Sequence, residues 1–288
     1  MIIESKAGNK IMAALVENWF DSFSAYELAK KANVTNPLVY SLLPKLLDKG
    51  IINEKNRRIS LNRSNLFVYR YKLLFDADKL LELPKKERNI IDEVFISVKR
   101  VYKKLNAFIL IGSIAEPEHK PADIDFLVIG EKEKGREINY HRLLRLANIN
   151  IIEKSQEEIN KDFLDTDDFL ISSLSSNIIF YDDGTFKKLL QQELPFPSKD
   201  VIDERKEQLF KMEKRVKLLL KDKDRGRLVQ EFKKFLIKKA RIILLEHNII
   251  PLSKPHILQK IKKIEPKINK LYCKINNKNI LNEVAKYV

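Results

Sequence analysis

Residues 109–130 read ILIGSIAEPEHKPADIDFLVIG, and this stretch constrains the fold more than any other. An apolar run ends in Gly112-Ser113, a loop spans 114–122, and a second apolar run opens with Asp123 and Asp125. Alternate residues of a strand point to the same side, so both carboxylates face one way while Ile124 and Phe126 face a core. Two carboxylates so crowded repel each other unless a cation lies between them. Magnesium is the natural partner, because it takes hard oxygen ligands from one or two carboxylates and from substrate phosphates, and Mn2+ accepts the same donors. Gly112 has no side chain to keep a phosphate from the backbone, and the Ser113 hydroxyl can donate to it.

The flanking text builds a small mixed sheet around this motif. Strands are predicted at 107–111, 124–129, 149–152 and in NIIFYDD, with a helix near 139–146 and one or two lead-in helices from LFVYRYKLLFDADKLLEL and KKERNIIDEVFISVKRVYKKL. The segment DFLDTDDFLISSLSS also has helical spacing.

The pattern of an apolar residue, Gly-Ser, a loop and Asp-apolar-Asp-apolar resembles the signature of the polymerase-beta-like nucleotidyltransferase superfamily, including small members of toxin–antitoxin pairs, over roughly residues 85–195. The resemblance implies that Asp123 and Asp125 bind metal ions and a nucleoside triphosphate, above all ATP. A substrate hydroxyl on nucleic acid or protein then attacks the α-phosphate in line and pyrophosphate leaves. Two departures bear on that activity. Where many small members carry Arg-Gly, this chain has Ile114-Ala115-Glu116-Pro117, leaving Lys120, or else His119, as the basic residue for triphosphate, with a solvated loop position the plainer role for His119. Where active members carry a third carboxylate on the next strand, this chain has Asn150, which can coordinate a metal but cannot act as a base. Glu153 lies an odd number of residues further on, on the opposite strand face unless a bulge shifts the register.

Charge divides the 288 residues unevenly. Residues 1–75 hold 12 basic and 6 acidic side chains, 76–200 hold 19 and 24, and 201–288 hold 24 and 10. An acidic centre between basic flanks suits a cation site served by surfaces that attract a polyanion. The single cysteine, Cys273, excludes an internal disulfide and a cysteine-based zinc cluster. No apolar run is long enough to span a membrane and no signal-peptide layout is read at the start, so a cytoplasmic protein is expected. The Ile-, Lys- and Glu-rich, glycine-poor text fits a heat-adapted organism or an AT-rich genome.

In the first segment, Ser24 is expected to cap one helix and Asn36 a second ending at Gly50, with Val39, Leu43 and Leu46 buried. Asn36, Pro37, Tyr40, Ser41 and Lys45 then face outward as candidate base readers. IINE, the turn KNRR and ISLN make a hairpin with Lys55, Arg57 and Arg58 near its tip. This order resembles the winged helix-turn-helix domain of prokaryotic regulators, over residues 8–62, which implies DNA binding. Pro44 should kink the second helix, and outward Leu42 and Leu47 suit docking or a homodimer instead.

Three helices are predicted at 203–221, 227–246 and 258–274. FLIKKARIILLEHNIIPLSKPHILQKI loosely resembles HEPN and related helical substrate-binding domains, although Arg241 and His247 fall elsewhere than the HEPN nuclease motif. Lys233, Lys234, Lys238, Lys239 and Arg241 are expected to share a face for RNA or tRNA phosphates, with no aromatic platform for bases. The expected whole is a multidomain α+β chain: a winged helix over 1–75, a nucleotidyltransferase-fold domain over 76–198 and a basic helical domain over 199–288. Its expected activity is metal-dependent transfer of a nucleoside monophosphate, or else nucleotide sensing without chemistry by a DNA-binding regulator.

Overall fold

The computed structural model describes residues 5–115, 123–222, 224–276, 278 and 280–287. The chain divides into two compact units, the first comprising Met1–Lys161 and Ser173–Glu193, the second Asp162–Ser172 and Leu194–Val288.

The first unit opens with α1 (Lys6–Glu17), α2 (Ala25–Ala32) and α3 (Asn36–Asp48), then the hairpin β1 (Ile52–Lys55) and β2 (Arg58–Leu61). Ser24 caps α2 in a reciprocal capping box with Glu27, and Asn33 ends it in the left-handed region at φ 50°. The cap of α3 is Thr35 rather than Asn36, which becomes the first helical residue. Helix α3 runs on through Pro44, and Gly50 turns the chain at φ +61° beyond its end. Asn56 and Arg57 both take positive φ, the two-residue loop whose twist matches that of the strands it joins.

Two long helices, α4 (Leu66–Glu82) and α5 (Lys85–Val101), lead to β3 (Tyr102–Ile111), a 3-10 turn (Gly112–Ala115) and β4 (Ile124–Lys132). Then come α6 (Tyr140–Leu144), β5 (Ile149–Lys154), α7 (Gln156–Leu164), α8 (Asp168–Ser175), β6 (Asn177–Asp182) and α9 (Thr185–Gln191). The chain predicted as one helix in DFLDTDDFLISSLSS breaks at Thr166, φ 52°, where Asp167 caps the next helix through the Phe169 and Leu170 amides.

The sheet is mixed and four-stranded, in the order β5-β4-β3-β6, with β4–β5 parallel and β3 antiparallel to both neighbours. One face packs on α5: Ile91, Val94 and Val98 meet Phe108, Leu110, Phe126 and Val128 in a buried cluster. The Phe108 and Phe126 rings stack with centroids 5.0 Å apart. Each side chain of this size stabilises the fold by about 1.5–3 kcal/mol on burial, so this layer fixes how β3 and β4 are held. Trp19 donates to the Leu190 carbonyl at 2.7 Å, tying the N-terminal helices to the end of α9.

The second unit contains α10 (Lys199–Asp222), α11 (Arg225–Glu246), α12 (Lys254–Ile264), α13 (Pro266–Lys274) and α14 (Ile280–Tyr287). Leu228, Phe232, Leu236, Ala240 and Leu244 of α11 form its spine. The predicted third helix is two, because Pro266 has no N–H to continue α12 and starts α13 instead. No helix among the described residues is long and apolar enough to cross a membrane.

Candidate functional site

The edge of the sheet where β3 ends and β4 begins gathers the motif. In the strand register Asp125 lies between Ile111 on one side and Asn150 on the other, so the Asp125 and Asn150 side chains share a face. Asp123 precedes β4 by one residue; it and Asp125 are half-buried while Ile124 and Phe126 between and after them are buried. Gly112 begins the 3-10 turn at φ +73°, and a Cβ placed on it would lie 2.6 Å from Asp125 Oδ2. The space left by the missing side chain is therefore taken by the Asp125 carboxylate, and glycine is required for that close approach as well as for the backbone turn. Ser113 follows, half-buried at the rim.

Asp125 is poorly satisfied. Among the described residues its one side-chain donor is Asn150 Nδ2, at 3.3 Å from Oδ1, a long contact for a charged acceptor. Burial holds the Asp125 carboxyl above the ordinary carboxylate range; the Asn150 hydrogen bond opposes this, and the Asp123 charge adds to it. Such a carboxylate gains most from a bound cation.

Glu153 has the opposite surroundings. The β4–β5 register is unshifted from Ile124–Ile149 to Ile129–Lys154, which places Glu153 across from Val128 on the face away from Asn150. There it accepts from Tyr102 Oη at 2.6 Å, Lys132 Nζ at 2.8 Å and Tyr140 Oη at 2.8 Å. Burial pushes its carboxyl up, but these donors together outweigh it and hold the group below its usual range. No bulge brings Glu153 to the Asp125 face.

The donor set at that face consists of two carboxylates and one amide, all hard oxygen ligands. It fits a magnesium ion that takes its remaining ligands from water and substrate phosphates. Among the described residues no group of three or more His, Cys, Asp or Glu side chains could hold a metal, so none of them adds a third carboxylate to the pair. Lys120 and His119 lie outside the described residues.

The residues singled out for nucleic acid are placed unevenly. Tyr40 is 63% exposed on α3, with Ser41 and Lys45 exposed beside it, whereas Asn36 is half-buried with its Oδ1 unpartnered. Arg57 is exposed at the hairpin turn. Arg58 is held back from the tip: its guanidinium pairs with Glu27 Oε2 at 2.9 Å and donates to the Ser22 hydroxyl and carbonyl.

In the second unit the expected basic face is smaller than the sequence implies. The Arg241 side chain is 11% exposed and pairs with Asp168 at 3.0 Å, so it belongs to the interior. Lys234 pairs with Glu231 at 3.3 Å, and Lys238 is half-buried. Aromatic rings do lie beside these lysines, contrary to expectation, but the cations themselves cover them: Lys239 sits 4.8 Å from the Tyr287 centroid and Lys233 5.5 Å from Tyr272. His247 caps α11 with its ring nitrogen 2.8 Å from the Ile243 carbonyl.

The groups that sequence reasoning missed are the partners of Glu153. Tyr102, Lys132 and Tyr140 come from three separate elements, and no local spacing announces them.

No protein-family model matches the chain, and no curated protein matches it. Among solved structures it is similar to a nucleotidyltransferase-like protein from Exiguobacterium sibiricum 255-15, at 11% identity over 66% of this chain and 68% of that one, with a TM-score of 0.34. A superposition this loose establishes neither fold nor function.

Proposed function

We propose that residues 76–198 form a nucleotidyltransferase-type domain that holds a nucleoside triphosphate with Mg2+, and whose transfer activity is weak or absent. The carrying observation is that Asn150, a neutral amide, stands across from Asp125 while Glu153 is engaged on the opposite face. Asp123, Asp125 and the Asn150 carbonyl would hold the ion, which when bound would neutralise the triphosphate and polarise its phosphorus. Gly112 and Ser113 would receive phosphate oxygens, and Lys120 would add charge. Asn150 can orient a ligand but cannot accept the proton of an attacking hydroxyl, which is the reason to read a binding site before a catalytic one.

On this reading residues 1–75 form a winged helix that binds DNA through Tyr40, Ser41, Lys45 and Arg57. Residues 199–288 form a basic helical domain whose Lys234 and Lys238 favour RNA or another polyanion. The chain is then a nucleotide-responsive regulator.

Calorimetric titration with Mg2+ and a non-hydrolysable ATP analogue tests the core of the proposal. Binding to the wild type that disappears in Asp123→Ala is expected, with label transfer from NTP to nucleic acid or protein near background and a rise in Asn150→Asp. Absence of nucleotide binding would sink it. The retained Asp123/Asp125 pair favours a second reading, full nucleotidyl transfer. Robust wild-type labelling that Asp123→Ala abolishes would establish that reading in place of the first.

A further inference from the structure

The inward face of α4 carries, beside buried Val68 and Tyr69, the buried pair Lys72 and Asp76, with Nζ 2.6 Å from Oδ2. Lys72 also donates to the Asn177 carbonyl at 3.1 Å, and Asp76 accepts from the Ile179 amide at 2.9 Å. Because β6 is an edge strand, these contacts satisfy backbone groups that no neighbouring strand reaches. The buried polar pair is thus explained by the sheet edge it covers. The outer face is not. Leu66, Phe67, Leu73, Leu74 and Leu81 are 46%, 53%, 37%, 67% and 67% exposed, an apolar stripe interrupted by exposed Arg70 where a surface helix carries mostly polar residues.

Phe67, Leu74 and Leu81 recur at heptad spacing and form a seam about 21 Å long. Along one flank a groove of about 760 Å³ opens between α1 and α4, walled by Met12, Tyr71, Leu74 and Phe75. Exposed Arg70 and Asp78 lie four residues before and after Leu74. That symmetry identifies the occupant. A twofold axis at Leu74 sets Arg70 against Asp78 of a second copy, twice, and Phe67 against Leu81 of that copy. A parallel pairing would oppose Arg70 to Arg70 and Asp78 to Asp78, so charge selects the antiparallel arrangement.

We propose that this face is a homodimer interface, with the α4 helices of two chains packed antiparallel about Leu74. The claim is independent of the nucleotide site and of DNA binding.

Sedimentation equilibrium of the full chain tests it. The wild type is expected at twice its 33.8 kDa mass. Leu74→Glu, at a site two-thirds exposed and therefore tolerated by the fold, is expected to weaken association by at least about tenfold. Arg70→Asp and Asp78→Arg should each weaken self-association similarly, and an equimolar mixture of the two should recover the dimer, since each supplies the charge the other lacks. Circular dichroism of each variant checks that the fold is kept. A wild type that stays monomeric to concentrations on the order of 100 µM, the weak end for a specific interface, overturns the proposal. So does a dimer that Leu74→Glu leaves intact, or a mixture that fails to associate.

Discussion

Asp125 and Glu153 stand on neighbouring strands of one sheet, face opposite ways, and have opposite electrostatic fates. Among the described residues Asp125 has one long amide donor and a second carboxylate nearby, and its proton is held more tightly than usual. Glu153 has a lysine and two tyrosines, and its proton is held less tightly. The first group is left wanting a cation; the second is already satisfied and serves the fold. A carboxylate near a motif is therefore a candidate ligand only when its own neighbours leave its lone pairs free.

The contrast can be broken from either side. The largest effect is expected from Asp125→Ala, which should lower affinity for Mg2+ with nucleotide by about 100-fold in calorimetry while leaving the circular dichroism spectrum unchanged. Glu153→Ala should do the reverse: nucleotide affinity stays near wild type, and chemical denaturation at neutral pH shows a loss of about 1–3 kcal/mol from stranded tyrosine and lysine donors. Because the folded state depresses the Glu153 proton affinity, its contribution is present above the ordinary glutamate range and fades as pH falls through the depressed value. The gap between wild type and Glu153→Ala should accordingly narrow in acid. Gly112→Ala should cost about 1–2 kcal/mol from the left-handed backbone alone, and the new methyl should also displace Asp125 and reduce nucleotide binding. The smallest effect sharpens the comparison most. Asp125→Asn should raise stability slightly at neutral pH, by less than about 1 kcal/mol given solvent screening. The sign follows from the raised proton affinity, which favours folding at low pH and loses that advantage as pH rises through the raised value. The gain should disappear in acid, where Asp125 is already protonated, and thermal melts at two pH values would register it.

Much of the first unit was legible because its signals are local. The apolar runs of β3 and β4, the Ser24 cap, the Gly50 turn and the period-two alternation that sets Asp125 apart from Phe126 all depend on residues a few positions apart. The break at Pro266 is equally local, although the helical spacing continues across it. Arg58 and Arg241 misled for another reason. Both read as surface cations, and both are drawn into ion pairs, with Glu27 and Asp168, that lie far off in sequence. The α4 stripe is not legible because its apolar spacing reads as a buried face, whereas the sheet edge draws Lys72 and Asp76 inward beside Val68 and Tyr69.

Sequence alone determined which side chains of an unbroken strand share a face: the repeat of two sets Asp123 with Asp125 and, where no bulge intervenes, Asn150 apart from Glu153, and the unshifted register of β4 and β5 removes that condition. Tertiary structure decided which of those carboxylates is free. Solvation and hydrogen bonding at a group are set by whatever other segments bring to it, and Tyr102, Lys132 and Tyr140 reach Glu153, while the amide of Asn150 is what reaches Asp125.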